Sequence, residues 1–297
     1  MMHDAQAVAD RPGNRAVRLM GGAIAVVPPL VLGAFIAATL VLPLGMLLVS
    51  SLTATGSVSF QTYARLFGGR AYRQAVWNSL GVAATSALLA TVLGGIVALA
   101  VHAVRGRRWH ETVAALSGVA ANAGGPPLAF AFVVLFGTQG MVPLVFRRLL
   151  GVDLLPDLTS YAGLVLVYLY FLVPVALLVI LPALGAVRRE LYEAALLLGA
   201  RPRQFWRLVG LPILMPPLAA GYLLTFAVAL ASYSTPWALV GGGGRLNLLP
   251  MQIGFFVGEA GYSLDMADAM AVILVIVATL CTLGHRLCTG RARRWLS

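Results

Sequence analysis

Long uncharged stretches alternate with short clusters of arginine along the chain. Residues 19–64, 76–104, 112–146, 162–187 and 211–244 contain no Asp, Glu, Lys or Arg. A bilayer-crossing helix needs roughly 20 apolar residues, so each stretch is long enough for a span, the first lying near 21–49. Residues 267–287 supply the last. The pattern predicts an all-α polytopic membrane protein with six transmembrane helices over residues 21–288, a polar arm at 1–20 and a short tail at 289–297. The first apolar segment exceeds the roughly 7–15 apolar residues of a cleaved signal peptide and is expected to stay as a helix.

Composition agrees with that picture. The chain is 60% hydrophobic and 10% charged, whereas about a quarter of a soluble domain is charged. All 21 basic residues are arginine and the net charge is +11. Their placement says more than their number, because basic residues flanking spans collect on the cytoplasmic side. With the amino terminus inside, fifteen arginines fall in the arm, the inner loops and the tail. Six fall outside: Arg65, Arg70, Arg73, Arg147, Arg148 and Arg245. Both termini are therefore expected in the cytoplasm, with the chain in a bacterial inner membrane. Topology accounts for the basic charge, and no nucleic-acid partner is implied. Cys281 and Cys288 lie about 10 Å apart on one predicted helix, too far to bridge within it.

Three places depart from a plain helical bundle. Residues 122–127 read Asn-Ala-Gly-Gly-Pro-Pro, and two consecutive prolines remove backbone donors and clash with the preceding turn, so the third span is expected to break or kink there. Breaks inside a membrane survive where neighbouring helices or a water-lined cavity satisfy the backbone. Asn122, Pro126 and Pro127 are therefore candidates for the solute path, with a plain packing kink as the alternative. The glycine run at 241–244 is expected to end the fifth span. Thr225, Ser232, Tyr233, Ser234 and Trp237 on that span are further path candidates; alternatively the hydroxyls bond their own helix and the aromatics anchor at an interface. In the first outer loop, Tyr63 and Phe67 are placed to lie along the membrane surface.

The third inner loop carries the most specific signal. Leu191, Ala194, Ala195 and Leu198 recur at helical spacing on one apolar face. Gly199 can end that helix in a left-handed conformation, and Pro202 can start a second one bearing Phe205, Leu208 and Val209. Alone, the segment also reads as an amphipathic helix pair on anionic headgroups. The spacing, however, is more specific than that. Glu193-Ala194-Ala195, Gly199 four residues on, then Val209 and Leu211-Pro212 resemble the signature of binding-protein-dependent ABC permeases, with valine where isoleucine is usual. Weaker features resemble the spermidine/putrescine-type subfamily: Asn78-Ser79-Leu80, Pro126-Pro127, the segment from Gly185 to Gly199, and Tyr233-Ser234-Thr235-Pro236 leading into 239–242. Phosphonate and ferric iron permeases share that pattern.

The resemblance implies the type I ABC importer permease fold, with coupling helices at about 188–210 seated on a separate ATPase. Glu193, Ala194, Ala195, Gly199, Ala200, Pro202 and Phe205 are the coupling residues it implies. It further implies two ATP-binding cassette subunits, a second permease subunit that is a different chain, an extracytoplasmic solute-binding protein, and ATP with magnesium held by the ATPase rather than by this chain. The implied cargo is a polyamine or another small charged solute such as a phosphonate. No catalytic residue or metal cluster is expected: His3, His102, His110 and His285 are dispersed, and a phosphate loop needs a lysine the chain lacks. No charged residue lies in the interior of a predicted span, which disfavours a proton-driven carrier. A sodium-coupled secondary transporter, using backbone carbonyls at broken helices, stays open as the alternative.

Overall fold

A computed structural model describes residues 12–53, 59–104, 106–137, 139–151, 157–185, 187, 189–240, 246–258 and 264–294. Among the described residues the chain is helical, with no strand. Among the described residues, six helical stretches are long and apolar enough to cross a membrane: Val31–Leu52, Arg70–Ala103, Pro126–Leu149, Tyr161–Leu184, Pro202–Ala231 and Leu264–Gly290. The chain divides into two compact units, residues 1–59 and 60–297.

The first unit holds one helix, α1 (Pro12–Leu52). It starts eight residues before the expected end of the polar arm, whose first eleven residues lie outside the described part. Proline at the first helical position explains the early start, since its φ suits a helix and its missing N–H would have had no partner there. From Val31 onward α1 exposes apolar side chains, among them Phe35, Leu40, Val41 and Met46.

The second unit is built around α3 (Arg70–Ala103) and α7 (Tyr161–Leu184). Small residues set how closely they approach. A Cβ at Gly94 would stand 2.8 Å from the Ala176 Cβ and 3.1 Å from the Val173 carbonyl oxygen. The fifth-span helix α10 (Leu211–Ala231) packs on both. Gly95 lies against Leu218 and Gly221 against Ile180. The last helix, α13 (Leu264–Arg294), joins α10 where His285 Nδ1 lies 2.8 Å from the Ala220 carbonyl. Lipid supplies no hydrophobic driving force between helices, so such close backbone contacts carry the packing. Buried hydroxyls are mostly satisfied locally: Ser86, Thr91 and Thr225 each donate to a carbonyl four residues back.

Three span boundaries differ from expectation. The third predicted span, 112–146, is divided: α4 (Arg107–Ala121) stops before the double proline, and the membrane-length stretch begins at Pro126 with α5 (Pro126–Phe136) and α6 (Met141–Leu150). Gly125, at φ +103°, makes the turn between them. The fifth span ends at Ala231, well before the glycine run at 241–244, because Ser232 is extended and a short helix, α11 (Ser234–Val240), follows. Pro236 gives the reason: in a continued helix its ring would clash with the carbonyl of Ser232. The last helix runs through Arg294, so the tail from 289 is helical as far as described.

Two short elements complete the unit. Helix α2 (Gln61–Gly68) buries Thr62 and Leu66, and the Tyr63 ring lies 6.3 Å from that of Phe60. Helix α12 (Leu249–Gly258) lies between the fifth and sixth spans, where the hydropathy pattern predicts no span. At 1.5 Å per residue, its ten residues reach about 15 Å, half the hydrocarbon core.

Candidate functional site

The Gly199 elbow forms where expected. Helix α8 (Arg189–Leu197) is followed by Gly199 at φ +80°. The Ala200 N–H donates to the Ala195 carbonyl at 3.0 Å and the Gly199 N–H to the Leu196 carbonyl at 2.9 Å. These two bonds make the Schellman closure that satisfies the last carbonyls of a helix. Pro202 opens the next helix, α9 (Pro202–Phe205), and Gln204 caps it by accepting the Arg201 N–H at 2.7 Å.

The second half of the elbow departs from the expected short helix. From Pro202 the chain runs through a π-turn, Trp206–Gly210, straight into α10. Pro212 lacks an N–H and would crowd the Leu208 carbonyl in a regular helix, and widening by one residue relieves the clash. Gly210 leaves room for the Trp206 ring, which a Cβ there would meet at 2.7 Å. The second coupling segment is thus the beginning of the fifth span. Phe205 is buried, its ring 5.0 Å from that of Tyr192. It pins the elbow from within instead of presenting a surface. Glu193 and Ala194 are exposed, Ala195 and Ala200 are half-buried, and Leu197 and Leu198 are each 89% exposed.

The signature spacing on this elbow is matched by the chain at large. Residues 90–296 match the family described as the binding-protein-dependent transport system inner membrane component. The chain belongs to that family. It is therefore a multi-pass inner-membrane permease component. Over 129 residues it is 35% identical to the inner membrane ABC transporter permease protein YdcU of Escherichia coli K12, covering 41% of this chain and 38% of that protein. Over 220 residues it is 25% identical to the spermidine/putrescine transport system permease protein PotC of Haemophilus influenzae, covering 74% of this chain and 77% of that one. In fold it is similar to a chain of a bacterial ABC transporter involved in the import of the acidic polysaccharide alginate, with TM-score 0.68 and 18% identity over 94% of this chain and 98% of that one.

The permease brings some path candidates together and separates others. The Gly125 N–H, at the break before α5, donates to Thr235 Oγ1 at 2.9 Å, so the breaks of the third and fifth spans are clasped to each other. Ser234 shares the contact, 3.5 Å from where a Gly125 Cβ would stand. Pro126 and Pro127 sit exposed on the first turn of α5. Tyr233 and Trp237 are 40% and 46% exposed with ring centroids 6.4 Å apart. The Tyr233 ring packs over Gly254 of α12, where a Cβ would meet its hydroxyl at 2.6 Å. Asn122 stands apart, its amide donating to the Gly118 carbonyl at 2.8 Å. Thr225 is wholly buried and bonded to Gly221 and Tyr222 of its own helix.

Helix α12 is anchored by Asn78 and Ser79 at the entry to the second span. The Leu249 N–H donates to Ser79 Oγ at 2.7 Å, and Asn78 Nδ2 donates to the Asn247 carbonyl at 3.1 Å. Gln252 Nε2 also bonds the Asn247 side chain. Its sequence signal is proline at the second position of an apolar segment, Leu249-Pro250, which falls below the length of a span.

Proposed function

We propose that this permease forms half of the translocation path of an ATP-driven importer and couples it to a separate ATPase. The observation that carries the reading is the Gly199 elbow: a left-handed glycine holds two helices at a sharp angle, and Leu197 and Leu198 stand out of it almost fully exposed. Contiguous exposed leucines are costly in water, and on a loop beyond the end of a span they suit a surface that a partner protein covers. The elbow faces the cytoplasm in this reading, where the arginine distribution puts it and where ATP is found. The ATPase subunits supply ATP and magnesium chemistry, a second permease subunit completes the path, and an extracytoplasmic binding protein delivers the solute.

The continuity from Pro202 into α10 suits this role. A push on the elbow reaches the fifth span through one helix and its π-turn, and from Ala231 onward reaches the clasp between Thr235 and Gly125. The favoured cargo is a polyamine, on the likeness to PotC at 25% identity; another small charged solute such as a phosphonate is the second choice. The deciding experiment is reconstitution in liposomes. Uptake of labelled spermidine or of a labelled phosphonate is expected only with the ATPase, the binding protein and ATP. Uptake by this chain alone on a sodium gradient would place it among secondary carriers.

A further inference from the structure

Four elements of the second unit meet at a small cavity in which three hydroxyls stand among mostly apolar side chains. It has a volume of about 10 Å³ and is lined by Ser79 of α3, Tyr168 of α7, Ser232 at the fifth-span break, and Leu248 and Pro250 at the start of α12. That volume is about one water probe, the lower limit for holding a water molecule, and occupancy also requires two to four polar partners.

The partners are present. Ser79 is buried and its Oγ already accepts the Leu249 N–H, which leaves its proton for another acceptor. Ser86 and Thr91 on the same helix instead donate to their own backbone. The Tyr168 hydroxyl, on a side chain only 1% exposed, is hydrogen-bonded to the Ser232 side chain, and two hydroxyls that share one bond keep one proton to give. Ser232 is extended and so has left the helical ladder around it. Three hydroxyls thus converge on one water-sized space in an otherwise apolar core.

We propose that this cavity is a binding site for a single water molecule, held by Ser79, Tyr168 and Ser232. The water accepts from Ser79 and from the proton left over on the Tyr168–Ser232 pair, tying the fifth-span break and α12 to the second and fourth spans. Water is the ligand class that fits: the space is too small for any solute and no charged side chain reaches it. Because water can exchange partners without opening a void, the site lets the break shift while its hydroxyls stay satisfied. The inference is independent of which solute crosses and of what drives it.

The test is X-ray radiolytic labelling of the full-length permease in lipid nanodiscs, with rapid mixing into oxygen-18 water. Radicals made from a bound water attack the nearest side chain, so Tyr168 is expected to be oxidised despite its burial. The incorporated oxygen is expected to exchange with bulk at least tenfold more slowly than at the exposed Trp237. Ser232→Val removes the hydroxyl and puts a larger, apolar side chain into the space, and is expected to cut Tyr168 oxidation several-fold while leaving Trp237 oxidation unchanged. An unoxidised Tyr168 in the parent protein would overturn the proposal with no variant needed. Oxygen exchanging at the Trp237 rate would also overturn it, since the site would then be open to bulk water. Persistence of full Tyr168 oxidation in a folded Ser232→Val protein would exclude Ser232 from the site.

Discussion

Gly199 shows how much one residue can decide. No heavy atom lies within 4 Å of the position a Cβ would take, so the space around it tolerates a side chain. The backbone does not, because φ +80° is a conformation that costs an L-residue roughly 1–2 kcal/mol, and β-branched residues more. Gly199→Val is therefore expected to tilt the segment from Pro202 while leaving the spans inserted. Membrane yield should stay at the parent level, and co-purification of the ATPase, or solute-stimulated hydrolysis where the ATPase stays bound, should fall. Glu193→Ala, which leaves the backbone unforced, is expected to lower co-purification less. Equal behaviour of Gly199→Val and the parent would show that the elbow is not the mechanical link. Phe205 teaches a complementary lesson: a residue on the signature loop can serve the fold itself, since its ring is spent on Tyr192 and Trp206.

Among the elements, the fifth span is the most articulated. It has a π-turn at one end and a break at Ser232 at the other, with prolines placed to account for both: Pro212 after the π-turn and Pro236 after the break. Pro212→Ala restores a donor and removes the ring that opposes regular helix, so the π-turn is expected to revert to α-helix. Losing the extra residue rotates everything before it by about 100° relative to the span. The expected result is an inserted permease whose ATPase still binds but whose hydrolysis no longer responds to solute. Parallel measurements of basal and solute-stimulated hydrolysis decide it, and unchanged stimulation would assign the π-turn no part in coupling. The third span is articulated in the same way, and the bond from the Gly125 N–H to Thr235 makes the two breaks one joint.

For the whole molecule, the open quantity is orientation. The arginine asymmetry predicts that the Gly199 elbow and the loop before α4 face the cytoplasm, with the turn before α7 outside. Cysteines introduced at Arg108 and Arg201 are expected to resist a membrane-impermeant thiol reagent in intact cells, while one at Asp157 labels. All three positions are exposed, so access is set by the membrane rather than by burial. Cys281 and Cys288 are partly buried free thiols and serve as the background to subtract. Labelling at Arg201 from outside would reverse the topology and remove the elbow from the ATPase.

Much of this was legible in the sequence because it depends on local rules. Span number follows from apolar length, the break at 122–127 from two prolines, and the elbow from a glycine between two helical periods with a proline to restart the second. What remained hidden depends on which distant residues meet. A hydroxyl in a membrane helix can bond its own backbone or reach across, and nothing local distinguishes the two; Thr225 did the first and Thr235 the second. The end of the fifth span was misplaced because the glycine run is the louder signal, while the deciding clash of Pro236 acts four residues back. Helix α12 escaped because half a membrane of apolar residues has no hydropathy signature of its own, and its place is held by Ser79 and Asn78, about 170 residues away along the chain. Chain-local chemistry therefore determined where the helices bend, and only tertiary packing decided which bends are joined, because that choice rests on bonds between residues the sequence keeps far apart.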